Sequence, residues 1–211
     1  MILFFQTSSV NFLKFFMRRI IIVLPLVLCF ITNELLAQKQ DQPIIAKFLI
    51  ETGVEYGGDE ILQVFFTNGE KQTMRAGQGG NFAVGGEFQF RNLKQLMLRS
   101  AIGIKFNTTA ADNANIRLTR FPIHFTPFWK INDDFRFGIG VTNHLNPKLK
   151  GDGFLPDVSF KSTVGPRLEF GYKSIALTYT AIKYTDESGD TVSASSFGMS
   201  ASFTFPSKSK K

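Results

Sequence analysis

The chain contains two histidines, His124 and His144, the side chains best suited to general acid–base chemistry near neutral pH. Thr126 follows His124 by two residues, so a base and a hydroxyl nucleophile would lie on one strand. His144 is followed by Leu145 and Asn146, which offer no nucleophile. We therefore expect both histidines to be structural, and we expect no catalytic residue.

Acidic residues that could hold a metal or act as paired carboxylates are few. Asp133-Asp134 falls in a predicted turn and Asp59-Glu60 opens a predicted loop, so turn geometry and solvation explain both pairs. Segment 150–153 and Asp157 supply two carboxylates in a flexible loop, which is a weak site for calcium. The glycine-rich segment 77–80 lies outside any strand-to-helix context, so it does not predict a phosphate site. We expect no metal and no cofactor.

In the segments that would position charged side chains, apolar and polar residues alternate with a period of two. Phe197 and Phe203 lie on one face of a strand, for example, while Gly198 and Ser200 lie on the other. A strand that has lipid on one side and a polar lumen on the other shows this pattern. The charged residues on the predicted lumen face are Glu51, Glu55, Glu87, Arg99, Lys105, Arg136, Arg167 and Glu169.

The charged residues on the predicted lumen face have two possible roles. A barrel of eight strands has an interior just wide enough to be filled by side chains, so the first is a buried network of ion pairs and hydrogen bonds. The second is a narrow path for protons or ions, which would need a gap in that network. We expect the structural network.

The alternation predicts eight strands and one additional hairpin. The hairpin, 61–67 and 71–76, is closed by Asn68-Gly69 and elaborates the first long connection. Connections are short after the second, fourth and sixth strands and longer after the others, as in outer-membrane barrels. The predicted strands are 46–56, 81–91, 96–106, 116–129, one from 135 to about 143, 158–172, 175–184 and 191–205. The fold class is therefore all-β: an eight-stranded antiparallel transmembrane up-and-down β-barrel with an extra hairpin in the first outer loop.

Three irregularities are expected within this pattern. Ile116 and Leu118 have one parity and Phe121 the other, so the phase slips and predicts a bulge near Arg120. Pro166 interrupts the sixth strand, where a closed barrel has no free edge to accommodate it. The longest loop is expected over 144–157, which places His144 at its base.

The N-terminus has the composition of a signal peptide. Arg18 and Arg19 precede an apolar run over 20–31, and Ala37 ends a cleavage-site pattern. Cys29, the single cysteine, lies in that run. The start codon at Met1 or Met17 is left open. The predicted segments are a signal peptide over 1–37, a short periplasmic segment over 38–45, the barrel over 46–205 and a basic tail over 206–211.

As a pattern, residues 46–205 resemble the small eight-stranded outer-membrane barrels of the OmpA and OmpX type, including uncharacterised barrel proteins of Gram-negative bacteria. The last strand is similar to the signal read by the barrel-assembly machinery, which has a polar residue, a glycine and spaced hydrophobic residues that end in an aromatic. The residues in those places are Ser196, Gly198, Ala201, Phe203 and Phe205. The chain departs from the pattern by continuing after Phe205.

The resemblance implies a location in the outer membrane with both termini in the periplasm. The implied partners are outer-membrane lipids, lipopolysaccharide and the barrel-assembly machinery, while the oligomeric state is left open. No basic stripe with interleaved aromatic residues is present, so nucleic acid is not expected. We expect a non-enzymatic protein whose outer loops contact envelope components or ligands.

Two other functions are left open. One is a lipid-modifying enzyme of the lipid A deacylase or acyltransferase type, although such deacylases carry a serine two places after a histidine and this chain does not. The other is a soluble, lipocalin-like lipid binder. That alternative requires the phenylalanine-rich faces to point inward and the charged faces outward.

Overall fold

The computed structural model describes residues 43–65, 71–109 and 116–206, and the described residues form fourteen β-strands and no helix. Among them no helix is long and apolar enough to cross a membrane. The predicted signal peptide, the turn at Asn68-Gly69 and tail residues 207–211 lie outside the described residues. The strands are β1 (Ile44–Tyr56), β2 (Glu60–Phe65), β3 (Lys71–Arg75), β4 (Gly79–Phe90), β5 (Leu96–Thr108), β6 (Arg117–Lys130), β7 (Phe135–Lys150), β8 (Val158–Ser159), β9 (Lys161–Ser162), β10 (Gly165–Tyr172), β11 (Ile175–Thr180), β12 (Lys183–Thr185), β13 (Thr191–Ser193) and β14 (Ser196–Phe205).

Eight of these strands form a closed antiparallel barrel. Their order around the wall is β10-β11-β14-β1-β4-β5-β6-β7, and pairing between β7 and β10 closes the ring. β14 pairs with β1 from Phe205 opposite Phe48 to Phe197 opposite Tyr56, so the two ends of the barrel sequence lie side by side. The predicted fold class is confirmed, including the hairpin β2–β3 in the first long connection.

The barrel is apolar on the outside and polar on the inside. Phe82, Ile139 and Phe203 are each about half exposed on the outer face, whereas Glu51 and Arg99 are buried on the inner face. A water-soluble monomer rarely exposes so much contiguous apolar surface, but a transmembrane barrel does. The lipocalin-like alternative, with its phenylalanine faces inward, is therefore wrong.

The last three predicted strands are shorter in the wall than expected. Predicted strand 158–172 is divided into β8, β9 and β10, while β11 and β14 have separate outer pieces, β12 and β13. Strands β9, β12 and β13 leave the wall and form a second sheet in the order β13-β12-β9. The expected irregularity at Pro166 takes this form, because the wall strand begins at Gly165 and Pro166 is its second residue.

The expected 144–157 loop is wrong at its start, because β7 continues to Lys150 and includes His144. A bulge does occur opposite Arg120, but its extra residue lies on β7 rather than β6. Thr119 pairs with Lys148 and Phe121 with Leu145, which leaves two β7 residues, 146 and 147, opposite one β6 residue. The first of these, an asparagine, has a φ of 48°, a conformation that asparagine tolerates better than most residues.

An apolar cap covers the end of the barrel where the long connections lie. It combines two clusters of buried residues, one around Leu118 and one around Tyr184, against which Ile61 of the hairpin packs. The predicted phase slip in β6 is therefore wrong: Leu118 and Arg120 both point inward, and only the polarity of the interior changes along the strand. The buried residues of the apolar cap are Met74, Ala76, Ile116, Leu118, Leu149, Ile182, Tyr184 and Ala194.

Candidate functional site

The lumen of the barrel contains a chain of buried ion pairs. The structure places all eight charged residues that the sequence assigned to the lumen on the inner face of wall strands. Side chains along each wall strand alternate between the lipid-facing and the inner face. Because the interior of an eight-stranded barrel is narrow, inward side chains from different strands meet there. The network extends from Arg136, near the short turns, to Lys105, near the apolar cap.

Glu169 on β10 is the centre of the network. One oxygen, Oε1, lies 3.4 Å from Arg136 Nη2 and 3.7 Å from Arg99 Nη1. The other, Oε2, lies 3.4 Å from Arg167 Nη2. A single carboxylate therefore balances parts of three guanidinium groups, which come from β5, β7 and β10. Arg99 is held further by Glu87, with Nη2 to Oε2 at 2.8 Å.

Arg167 links this centre to the end of the lumen beneath the cap. Its Nη2 lies 3.0 Å from Glu51 Oε1, and its Nη1 lies 3.8 Å from Glu55 Oε1. Glu55 also accepts hydrogen bonds from Lys105 at 2.5 Å and from the Ser196 hydroxyl at 2.6 Å. The contacts are continuous along the lumen, and each of the eight charged residues predicted for the lumen has a partner of opposite sign.

Arg120 is a buried charge that the sequence did not reveal as part of the lumen. It is fully buried and donates through Nη2 to the backbone carbonyl of Gln78. Its Nε and Nη1 have no hydrogen-bond partner among the described residues. The period-two spacing of Leu118, Arg120 and His124 indicates that all three side chains share one face. The predicted phase slip near Arg120 conceals this common face in the sequence.

Both histidines lie inside the barrel. His124 is 5% exposed, and its Nε2 is 3.8 Å from Glu51 Oε2. His144 is 4% exposed, and its Nδ1 is hydrogen-bonded to the hydroxyl of Tyr184 in the cap. Neither imidazole lies on the lipid-facing surface, where a lipid substrate would approach. Their surroundings are those of packed interior side chains.

The acidic residues considered for metals have other partners. Asp157 lies 3.3 Å from Lys148 and accepts a hydrogen bond from the amide of Gly151, and these contacts hold the pKa of its carboxyl below the usual value. Asp59 accepts a hydrogen bond from the amide of Ser193 at 2.7 Å. Within the described residues, no group of three or more histidine, cysteine or acidic side chains is arranged to hold a metal ion.

The residues of the assembly-signal pattern occupy both faces of β14. Ser196 and Gly198 point inward, where the Ser196 hydroxyl donates to Glu55. Phe203 and Phe205 point outward and are 51% and 52% exposed. Ala201 is on the same outward face, two residues before Phe203. β14 pairs with β1, so it joins the last strand of the barrel sequence to the first.

Comparison with known proteins gave structural matches alone. No protein-family model matches the chain, and no curated protein matches it in sequence. A crystal structure of Ail, the attachment invasion locus protein of Yersinia pestis, in complex with the heparin analogue sucrose octasulfate matches with 11% identity and a TM-score of 0.40, covering 75% of this chain and 97% of that one. A second Ail crystal structure matches with 10% identity and a TM-score of 0.37, covering 77% and 99%. An Ail backbone structure in a phospholipid bilayer nanodisc matches with 10% identity and a TM-score of 0.36, covering 76% and 100%.

Proposed function

We propose that this chain is a non-enzymatic barrel of the Gram-negative outer membrane whose lumen is sealed and whose surface at the long-connection end contacts envelope components or external ligands. The observation that carries the proposal is the filled interior. Buried ion pairs occupy the described lumen from Arg136 to Lys105, and the apolar cap lies beyond them. A barrel that is closed in this way acts through its outer surface.

The orientation follows from the lengths of the connections. The short connections, 91–95, 131–134 and 173–174, are at one end of the barrel, and the long ones are at the other. Outer-membrane barrels have short turns in the periplasm and long loops outside. The ends of the barrel sequence lie at the short-turn end, so both termini would be periplasmic.

The hairpin β2–β3 is the part of the outer end that best fits contact with another molecule. Phe65 is 65% exposed near its tip, and the Lys71 ammonium group lies 5.2 Å from the centre of that ring. Aromatic side chains, including phenylalanine, are enriched where proteins bind partners. Assembly into the membrane would use the β14 pattern that ends at Phe205, which the barrel-assembly machinery would read.

The sealed lumen predicts the absence of a conducting state. Purified chain reconstituted in planar lipid bilayers should give no discrete current steps. Replacing Glu51 and Arg167 together with alanine removes their ion pair from the lumen and should make discrete current steps appear. Stable unitary currents from the unchanged chain would contradict the sealed lumen.

The proposed lack of catalysis predicts unchanged membrane lipids. Lipid A and phospholipids from a deletion strain, from a complemented strain and from strains carrying His124→Gln or His144→Gln should give the same mass spectra. The buried positions of both imidazoles are the reason. A lipid species that disappears in the deletion strain and in one histidine variant would assign an enzymatic activity instead.

A further inference from the structure

A groove on the outer wall crosses the ends of β5, β6 and β7 beside the apolar cap. Its volume is about 560 Å³, and it is open to the surroundings on one side. It differs from the rest of the lipid-facing wall because several of its residues are cationic. Its lining residues are Ile104, Phe106, Thr108, Arg117, Thr119, Phe121, Asn146, Lys148 and Lys150.

The cations of the groove lie on adjacent strands at neighbouring levels. Arg117 of β6 is directly opposite Lys150 of β7, and Lys148 is opposite Thr119 at the next lipid-facing level, toward the middle of the wall. Directly opposed residues on antiparallel strands have Cβ atoms about 5 Å apart, where like charges repel and destabilise the pairing. An anion that binds between these side chains would convert that repulsion into attraction.

The local balance of charge defines the anion. None of the described residues that line the groove is acidic, and the nearby Asp157 pairs with Lys148 at 3.3 Å. Asp157 also interacts electrostatically with Lys150. The three cations of the lining, Arg117, Lys148 and Lys150, therefore exceed this one carboxylate by two positive charges, which an anion of about two negative charges would balance. A phosphomonoester carries about −1.5 to −2 near pH 7, whereas a phosphodiester of an ordinary phospholipid carries one.

The lower half of the groove is apolar. Ile104, Phe106 and Phe121 are 38%, 50% and 39% exposed, and they continue into the lipid-facing belt of the wall. At the position where a lipid headgroup would meet the protein, the groove therefore has cations above and apolar rings below. An amphiphile with a phosphate at its headgroup and acyl chains beneath matches both halves.

We propose that this groove binds one phosphorylated glycolipid of the outer leaflet, with a phosphomonoester between Arg117 and Lys150 and an acyl chain along Phe106 and Phe121. The inference rests on the proposed orientation, which places the groove in the outer leaflet. It identifies a lipid bound at a specific site, beyond the general contact with membrane lipids that any transmembrane barrel makes.

The direct test is binding by the purified full chain in detergent micelles, measured by native mass spectrometry. The probes are lipid A with two phosphates, the same lipid after phosphatase treatment, phosphatidylglycerol and inorganic phosphate. We expect one molecule of phosphorylated lipid A to bind, and the dephosphorylated lipid to bind at least about tenfold more weakly. Equal binding of both lipid A forms, preference for phosphatidylglycerol, or equal binding of inorganic phosphate would overturn the proposal.

Variants locate the site. Arg117→Gln combined with Lys150→Gln should weaken lipid A binding by about tenfold or more, because two charge-assisted contacts are lost. The matched control is Lys161→Gln combined with Lys183→Gln, which removes two exposed cations from the small sheet at the same end of the barrel. An equal loss of binding in the control would assign the effect to net charge and overturn the site.

A third variant changes the affinity in the opposite direction. Asp157→Asn removes the carboxylate that pairs with Lys148 and should tighten lipid A binding about two- to threefold by freeing a third cation. Asp157 is exposed, so the barrel should fold normally. The heat-dependent shift of the folded barrel on a gel checks folding for every variant. Unchanged or weaker lipid A binding by folded Asp157→Asn would contradict the proposed arrangement.

A separate measurement distinguishes this proposal from the proposed function. The bilayer current and lipid mass spectra test the sealed, non-enzymatic barrel and do not depend on the groove. If those results hold while phosphorylated lipid A fails to bind, only the lipid site is wrong. If lipid A binds as expected but the chain conducts, only the sealed lumen is wrong.

Discussion

Glu169→Gln is expected to lower the free energy of unfolding of the barrel by about 3–5 kcal/mol, the cost of removing one partner from a buried ion pair. The substitution keeps the size of the side chain and removes its charge. Arg99, Arg136 and Arg167 all lie within 3.7 Å of the carboxylate, so three buried guanidinium groups lose part of their balance at once. The remaining lumen carboxylates, Glu51, Glu55 and Glu87, are already paired with cations of the network.

The matched control is Glu60→Gln in the hairpin. Glu60 also pairs with an arginine, Arg75, at 2.6 Å, but its side chain is 52% exposed. Exposed pairs of this kind contribute about 0–1 kcal/mol. Unfolding by urea in lipid vesicles, followed by the gel shift of the folded barrel, measures both. If the two variants lose similar stability, the lumen network does not stabilise the barrel as its geometry indicates.

Ile102→Arg is expected to destabilise the inserted barrel by about 2–4 kcal/mol, the cost of a charged side chain at the middle of the lipid-facing surface. Ile102 is at the centre of β5, is 49% exposed and pairs with Ile123 of the next strand. On a water-soluble protein the same substitution at a half-exposed site would change stability by about 0.5 kcal/mol or less. The size of the stability loss caused by Ile102→Arg therefore shows whether lipid or water surrounds this face of the barrel.

The same change near the edge of the barrel should be nearly neutral. Ile131 follows β6 directly at the short-turn end and is 60% exposed. Ile131→Arg should cost about 0–1 kcal/mol, because a long cationic side chain reaches the headgroups there. Unfolding in vesicles compares the two variants. Equal, small effects at both positions would contradict insertion of this surface into lipid.

The barrel wall could be predicted because each strand carries its own evidence. The alternation of Phe197 with Gly198, or of Phe82 with Ala83, depends only on which face meets lipid, so it is visible within one short segment. The inward positions of Glu51 and Arg167 followed from the same pattern. Which carboxylate pairs with which guanidinium did not follow, because that depends on barrel closure and on the register between strands distant in sequence.

The apolar cap could not be predicted in this way. Leu118 points inward in phase with Arg120, but an inward leucine conflicts with the expectation of a polar lumen, so the sequence pattern predicts a slip that β6 does not contain. The departure of β9, β12 and β13 from the wall has no strong local signal, since their residues alternate like those of the wall. Only contacts among distant segments, such as Ala76 with Ile182, determine that they form a separate core.

The cap also has a consequence for the order in which the molecule is assembled. Its buried residues come from β3, β6, β7, β12 and the connections beside them, and they extend from Met74 to Ala194 in the chain. Long-range contacts of this kind form late, because each requires the closure of a long loop. The cap is therefore a product of barrel closure. In the proposed orientation, its apolar side chains would cross the bilayer during insertion before they pack against one another.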